Sequence, residues 1–219
     1  MLNGRGTGSD TSKILQFYVS RHEQGGSFDV LGADGDIVLA FAWRASQLTF
    51  ETLKHRDDDK RSWNSLLIDF NRLSLAHSQY LIVKNFYEAV KSPELIKAVG
   101  EETSSILDKL FRLFALTILD REAADFFAAG AVTVKQIGLA RNRIIPKLLD
   151  EIRPNAVRLV DVWKFTDYQL DSSLGRYDGN VYPDLFKRAS EQNPVNDLVF
   201  DPYPWNPNPL KEDISKSKL

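Results

Sequence analysis

The sequence predicts an all-α protein, and three observations carry that expectation. Apolar residues recur at three- and four-residue steps over several long stretches. The stretch 36–54 contains no Pro or Gly, and Ser92-Pro93 and Gly130 punctuate the stretches after it. No alternating run of branched residues is bounded by hairpin turns, so strand signals are nearly absent. The expected architecture is an antiparallel helical bundle followed by an extended, Pro-rich tail.

Residues 1–35 are rich in Gly and polar residues, with one apolar patch, Ile14-Leu15-Gln16-Phe17-Tyr18-Val19. They read as a flexible N-terminal lead with a single turn of helix. The helical domain is expected over 36–192. Ile37, Ala40, Phe41, Arg44, Leu48 and Leu53 mark a first helix over 36–54. The charged run Arg56 to Arg61 reads as a solvated connection. Leu66, Phe70, Leu73, His77, Tyr80, Lys84 and Tyr87 mark a second helix, from Trp63 to Lys91, that Ser92-Pro93 stops. Ile106, Leu107, Leu110, Phe111, Phe114 and Ile118 give a third a wide apolar stripe over 101–120. A short segment, Glu122 to Ala129, ends at Gly130, a natural C-terminal cap. A fourth main helix runs from Thr133 to Ile152, with Ile137, Ala140, Ile144 and Leu148 on one face. Pro154 suits the first turn of a helix at 154–163, and a last helix is expected at 182–192. From residue 193 the chain changes character: Pro194, Pro202, Pro204, Pro207 and Pro209 fall among Tyr203 and Trp205.

Composition narrows the function. With 28 Lys+Arg against 30 Asp+Glu, the net charge is −2, which argues against nucleic acid and against a polybasic membrane surface. No apolar run is long enough to span a bilayer. The start MLNGRGTGSD lacks the apolar core of a secretory signal. With no Cys, there is no thiolate nucleophile, disulfide or thiolate metal site. Gly4, Gly6 and Gly8 lack the spacing and preceding strand of a dinucleotide fingerprint. His22, His55 and His77 are scattered, so no metal site is expected. His77, on the apolar face of the second helix, reads as a core or interface histidine rather than a general base. No catalytic residue is expected.

Two polar stretches look over-specified for surface: residues 153–161, RPNAVRLVD, and 174–182, LGRYDGNVY. In the second, Asp178-Gly179 is a strong turn signal, and Arg176 and Asp178 can fix that turn by ion pairing. The chain ends in Ser217-Lys218-Leu219, the peroxisomal address read at a free C-terminus by an import receptor. The expected location is the peroxisomal matrix.

IRPNAVRLVD, LGRYDGNVYPDLF and the upstream AHSQYLIVKNFYEAV together resemble the C-terminal helical region of the peroxisomal acyl-CoA oxidases. The resemblance covers roughly residues 30–219. Its most specific part is LGRYDGNVY, with Arg176, Tyr177, Asp178, Gly179 and Asn180 as the structural motif. It implies an FAD-dependent family that desaturates fatty acyl-CoA to trans-2-enoyl-CoA and passes the electrons to oxygen as hydrogen peroxide. It also implies a homodimer, or a full-length acyl-CoA oxidase as partner, and acyl-CoA as substrate only for a complete enzyme. The acyl-binding helical domain, the β-domain and most of the flavin surface lie outside the region of resemblance. The family's catalytic Glu opens a motif E-G-[DE]-N-T with a Gln nine residues on. Here Gly8, Thr11 and Gln16 fall in register, but Thr7 stands in the Glu position. A Thr hydroxyl is no base near neutral pH. The chain is therefore expected to be non-catalytic alone, either as part of an oxidase or as a helical partner of one. A helical module that binds a small molecule and has lost the flavin is the third reading. A bundle of this origin should expose an apolar face on the helix at 36–54 or at 63–91.

Overall fold

A computed structural model describes residues 9–193. The chain divides into two compact units, 1–156 and 157–219. All regular structure among the described residues is helical. The Pro-rich tail and the terminal Ser217-Lys218-Leu219 lie outside the described residues.

The first unit begins with α1 (Asp10–Arg21), whose Ser9 side chain accepts a hydrogen bond from the Ser12 amide. This is a correction to the lead read from sequence: three turns of helix stand where one was expected. Ile14 and Tyr18 on α1, and Phe28 and Val30 after it, are buried in the core. The apolar patch is short and has Gly and polar residues on both sides, so it does not show the full length of the helix.

The centre is α2 (Asp34–Asp57). Every residue from Ala40 to Ser46 is buried, so this helix is enclosed on all sides rather than on one stripe. α1, α3 (Leu67–Val90) and α5 (Ala123–Ala128) pack around it. Trp43 donates from its indole nitrogen to the Ala129 carbonyl at 2.8 Å, and Phe17, Tyr18 and Phe28 meet its ring at centroid distances of 6.0, 4.6 and 5.8 Å. Phe41 meets Phe126 edge-on at 5.0 Å.

α4 (Pro93–Arg121) opens with Ser92 capping the Leu95 amide and Pro93 in the first turn. At Gly100 it breaks, with φ 79° and ψ 164°, a conformation that only glycine adopts at little cost. The apolar stripe begins after that kink, which is why the sequence shows it only from residue 101. The helix from Val134 to Ile152 is capped by a reciprocal Thr133–Gln136 box. It consists of α6 (Val134–Leu139), a π-helical turn (Ala140–Ile144) and α7 (Ile145–Ile152). Pro146 supplies no amide for the carbonyl four residues back, and a wider turn accommodates that gap.

The unit boundary falls at the start of α8 (Ala156–Asp161), which a 3-10 turn at Arg153–Asn155 precedes. The second unit then carries α9 (Asp167–Leu170) and α10 (Val181–Ser190).

Candidate functional site

In the second unit, a network of partly exposed ion pairs links the elements, and the large aromatics lie on the surface. Thr166 caps α9 through a box with Gln169, and Asp171 ends it in the left-handed region at φ 41°. The chain then turns through Arg176–Asn180. Arg176 donates from Nε to Asp178 Oδ1 at 3.0 Å and from a terminal nitrogen to Oδ2. The Asn180 amide donates to the same carboxylate at 2.9 Å. The Arg176 fork, and then that amide, hold the Asp178 carboxyl down to about 2. Gly179 sits at φ 72° in this turn. The Tyr177 amide donates to Asp167 Oδ1 at 3.1 Å, tying the turn to α9.

Asp184 on α10 gathers the rest. It accepts from the Ser173 hydroxyl at 2.6 Å, from Arg188 Nε at 2.9 Å and from Arg176 Nη1 at 3.3 Å. The Ser173 hydroxyl first, then Arg188 and Arg176, keep its carboxyl below the usual range. Arg188 also donates to Asp171 Oδ1 at 2.9 Å, and these carboxylates hold its guanidinium firmly protonated. The motif residues Arg176, Tyr177, Asp178, Gly179 and Asn180 thus form one polar staple joining α9, the turn and α10. The large apolar residues go outward: Tyr168 is 93% exposed, Tyr177 86%, Tyr182 83% and Leu174 77%. Trp163, Phe165 and Phe186 are exposed as well.

In the first unit, a polar cluster that sequence reasoning missed lies in the core. Arg44, 1% exposed, donates to Asp125 Oδ2 at 2.9 Å and to Gln79 Oε1 at 2.6 Å. Glu122 lies 3.8 Å away, and the guanidinium stacks 5.0 Å from the Phe126 centroid. Arg72 donates to the other Asp125 oxygen at 2.7 Å. Burial works against the Asp125 charge, but the bonds from Arg72 and Arg44 outweigh it and lower its pKa. The available signal was Arg44 itself, a guanidinium at helical spacing within an apolar stripe. A second knot joins three helices: Asp34 accepts from Arg112 at 2.7 Å and pairs with Lys91 at 3.1 Å.

The three histidines do not converge. His22 stacks on Tyr18 at 5.0 Å, His55 Nδ1 lies 3.4 Å from Asp69 Oδ1, and His77 is half-buried with its ring 6.1 Å from Tyr80. Among the described residues, no group of three or more His, Asp or Glu is placed to hold a metal. Thr7 and Gly8 lie outside the described residues, while Thr11 and Gln16 are exposed on α1. An open groove of about 460 Å³ between α1 and α2 is lined by Tyr18, Val19, His22, Gln47, Phe50, Glu51 and Lys54. It offers a flavin dinucleotide one lysine beside a carboxylate, no glycine-rich phosphate cradle and no helix N-terminus. These residues do not fit FAD on their own.

Of the two helices expected to expose an apolar face, α3 does so. α2 is enclosed, but α3 exposes Leu67, Ile68, Leu75 and Ile82.

The acyl-CoA oxidase family model matches residues 34–208. The chain belongs to the acyl-CoA oxidase family. It is 36% identical over 168 residues to a peroxisomal acyl-coenzyme A oxidase 1 of Arabidopsis thaliana, covering 75% of this chain and 24% of that protein. To the Rattus norvegicus protein of the same name it is 36% identical over 163 residues, covering 74% and 24%. Among solved structures, Arabidopsis thaliana acyl-CoA oxidase 1 aligns with TM-score 0.73 and 30% identity, over 95% of this chain and 32% of that one. Acyl-CoA oxidase-1 of Caenorhabditis elegans, solved with FAD and ATP, aligns with TM-score 0.66 and 29% identity, over 85% and 28%. The chain spans about a quarter of the curated relatives' length. No described helix is long and apolar enough to cross a membrane.

Proposed function

We propose that this chain is the C-terminal helical part of a peroxisomal, FAD-dependent acyl-CoA oxidase and does not catalyse the reaction alone. The observation that carries this reading is the outward aromatic surface of the second unit. Trp163, Phe165, Tyr168, Tyr177, Tyr182 and Phe186 are held exposed by a polar staple, and family members are several times longer than this chain. A surface of that kind is built for a protein partner. The partner is the flavoprotein body of an acyl-CoA oxidase, in the same polypeptide or in a full-length oxidase, and a second copy of this chain is the other.

In a complete oxidase FAD, held by other parts of the protein, would supply the redox chemistry, and a carboxylate there would take the α-proton of the fatty acyl-CoA. The product is trans-2-enoyl-CoA with hydrogen peroxide. Thr7, at the position of that carboxylate, cannot take the proton. The described helices supply no phosphate cradle. Their contribution is therefore structural: packed against the body, they order and cover it.

Two assays test the reading. The purified chain, incubated with FAD and palmitoyl-CoA, releases no hydrogen peroxide and shows no retained flavin absorbance after gel filtration. Peroxide release would overturn it. A fluorescent reporter fused ahead of Ser217-Lys218-Leu219 enters peroxisomes through the import receptor; a cytosolic reporter would remove the localisation.

A further inference from the structure

We infer that Asp178-Gly179 is a site of spontaneous isoaspartate formation, which Arg176 keeps closed for as long as the turn is folded. The reaction is a ring closure within the chain. The Gly179 amide nitrogen attacks Asp178 Cγ, a C–N bond forms, and the carboxyl hydroxyl leaves as water with the amide proton. Water then opens the succinimide. Addition at Cγ restores aspartate. Addition at the Asp178 main-chain carbonyl leaves isoaspartate, whose backbone runs through the former side chain and is longer by a methylene. No other reactant is required.

The sequence and the surface supply much of what this closure needs. Gly179 has no side chain to obstruct its own nitrogen, and nothing lies within 4 Å of where a Cβ would stand. The Asp178 side chain is 51% exposed. The bond from the Asn180 amide to Asp178 Oδ1, at 2.9 Å, folds the carboxyl back along its own backbone. What remains is a neutral carboxyl that can turn towards a free nitrogen, and Arg176 withholds each part of that. Its Nε holds Oδ1 at 3.0 Å and a terminal nitrogen holds Oδ2, so the carboxyl cannot rotate without breaking two charge-assisted bonds. Its carbonyl accepts, at 3.2 Å, from the Gly179 amide that would attack. Its charge keeps the carboxyl ionised, and a carboxylate has no hydroxyl to lose as water. A carboxyl at about 2 rather than about 4 is neutral about a hundred times less often at pH 7. The product cannot rebuild the staple, because its free carboxylate springs from the α-carbon and the lengthened backbone distorts the turn that ties α9 to α10.

The test ages the full chain at neutral pH beside the peptide LGRYDGNVY as an unfolded reference. Isoaspartate at residue 178 is measured by peptide mapping with electron-transfer fragmentation. Asp34-Gly35 is the other Asp-Gly pair in the sequence. It lies in the first turn of α2, with Asp34 held by Arg112 and Lys91, and serves as an internal reference. The chain converts at least about tenfold more slowly than the peptide. Arg176→Gln speeds conversion at 178 by at least about tenfold and leaves residue 34 unchanged. Arg188→Gln removes bonds to Asp184 and Asp171 but none to Asp178, and leaves the rate at 178 where it was. Gly179→Ala placed on top of Arg176→Gln slows conversion again, as attack through that nitrogen requires. A peptide that does not convert overturns the site itself. A parent chain that converts as fast as the peptide overturns its closure, and so does Arg176→Gln without acceleration. Equal acceleration by Arg188→Gln assigns the protection to the order of the whole unit and overturns the role of Arg176.

Discussion

The two units use opposite materials for opposite ends. In the first, Phe41, Trp43, Phe111 and Phe126 are buried, and most ion pairs lie towards the surface, Arg44 being the exception. In the second, Asp184, Arg176, Asp178 and Arg188 make the internal connections while Tyr168, Tyr177 and Tyr182 face outward. The first unit is stabilised by apolar burial and stands on its own core. The second is linked by ion pairs that are partly exposed, and its large aromatics lie on the surface.

Core truncation should show the largest effect. Phe41→Ala deletes a fully buried ring that meets Phe126, and is expected to lower unfolding free energy by about 3–5 kcal/mol in denaturant titration. A loss under ~1 kcal/mol would mean that the first unit does not depend on its core. Asp125→Ala is expected to cost about 3 kcal/mol, because it leaves Arg44 buried with only Glu122, at 3.8 Å, to meet its charge. The same measurement on Arg72→Ala should give a much smaller loss, since Arg72 is partly exposed.

Acid separates the units by a different route. A carboxyl with a lowered folded pKa contributes stability above its unfolded value, and loses that contribution as pH falls through the folded value. For Asp178 the window runs from about 4 down to about 2. The Asn180 amide resonance, bonded to the Asp178 carboxylate, should hold its position to below pH 4 and move as pH approaches 2. Movement centred at pH 4 would show that the Arg176 staple does not persist in solution. Gly179→Ala should have the smallest effect. Nothing lies within 4 Å of an added Cβ, so only the positive φ opposes it. About 1 kcal/mol of local destabilisation is expected, seen as faster amide exchange over 176–181 with α2 unchanged.

Helical periodicity made most of this fold legible. Leu66, Tyr80, Phe111, Ile118, Ile137 and Leu148, all placed on inward faces by spacing, are buried. α1 was not legible as a full helix, because its length depends on Ile14 and Tyr18 finding the core of a distant segment. Propensity alone does not supply that. The π-helical turn before Pro146 and the kink at Gly100 modify helices whose stripes were already visible. The polar site was legible in part. Arg176, Asp178 and Gly179 are close in sequence and share one turn, so local turn chemistry exposed them. Asp184, Ser173 and Arg188 join them only through folding. Arg44 and Asp125 are 81 residues apart, and no spacing rule connects them.

Backbone hydrogen exchange of the chain, alone and mixed with a full-length acyl-CoA oxidase, tests the docking role of the second unit most directly. The account predicts slowed exchange over residues 157–190, centred on Trp163, Tyr177 and Tyr182, when the oxidase is present. Exchange in that segment that is unchanged by the oxidase would contradict it.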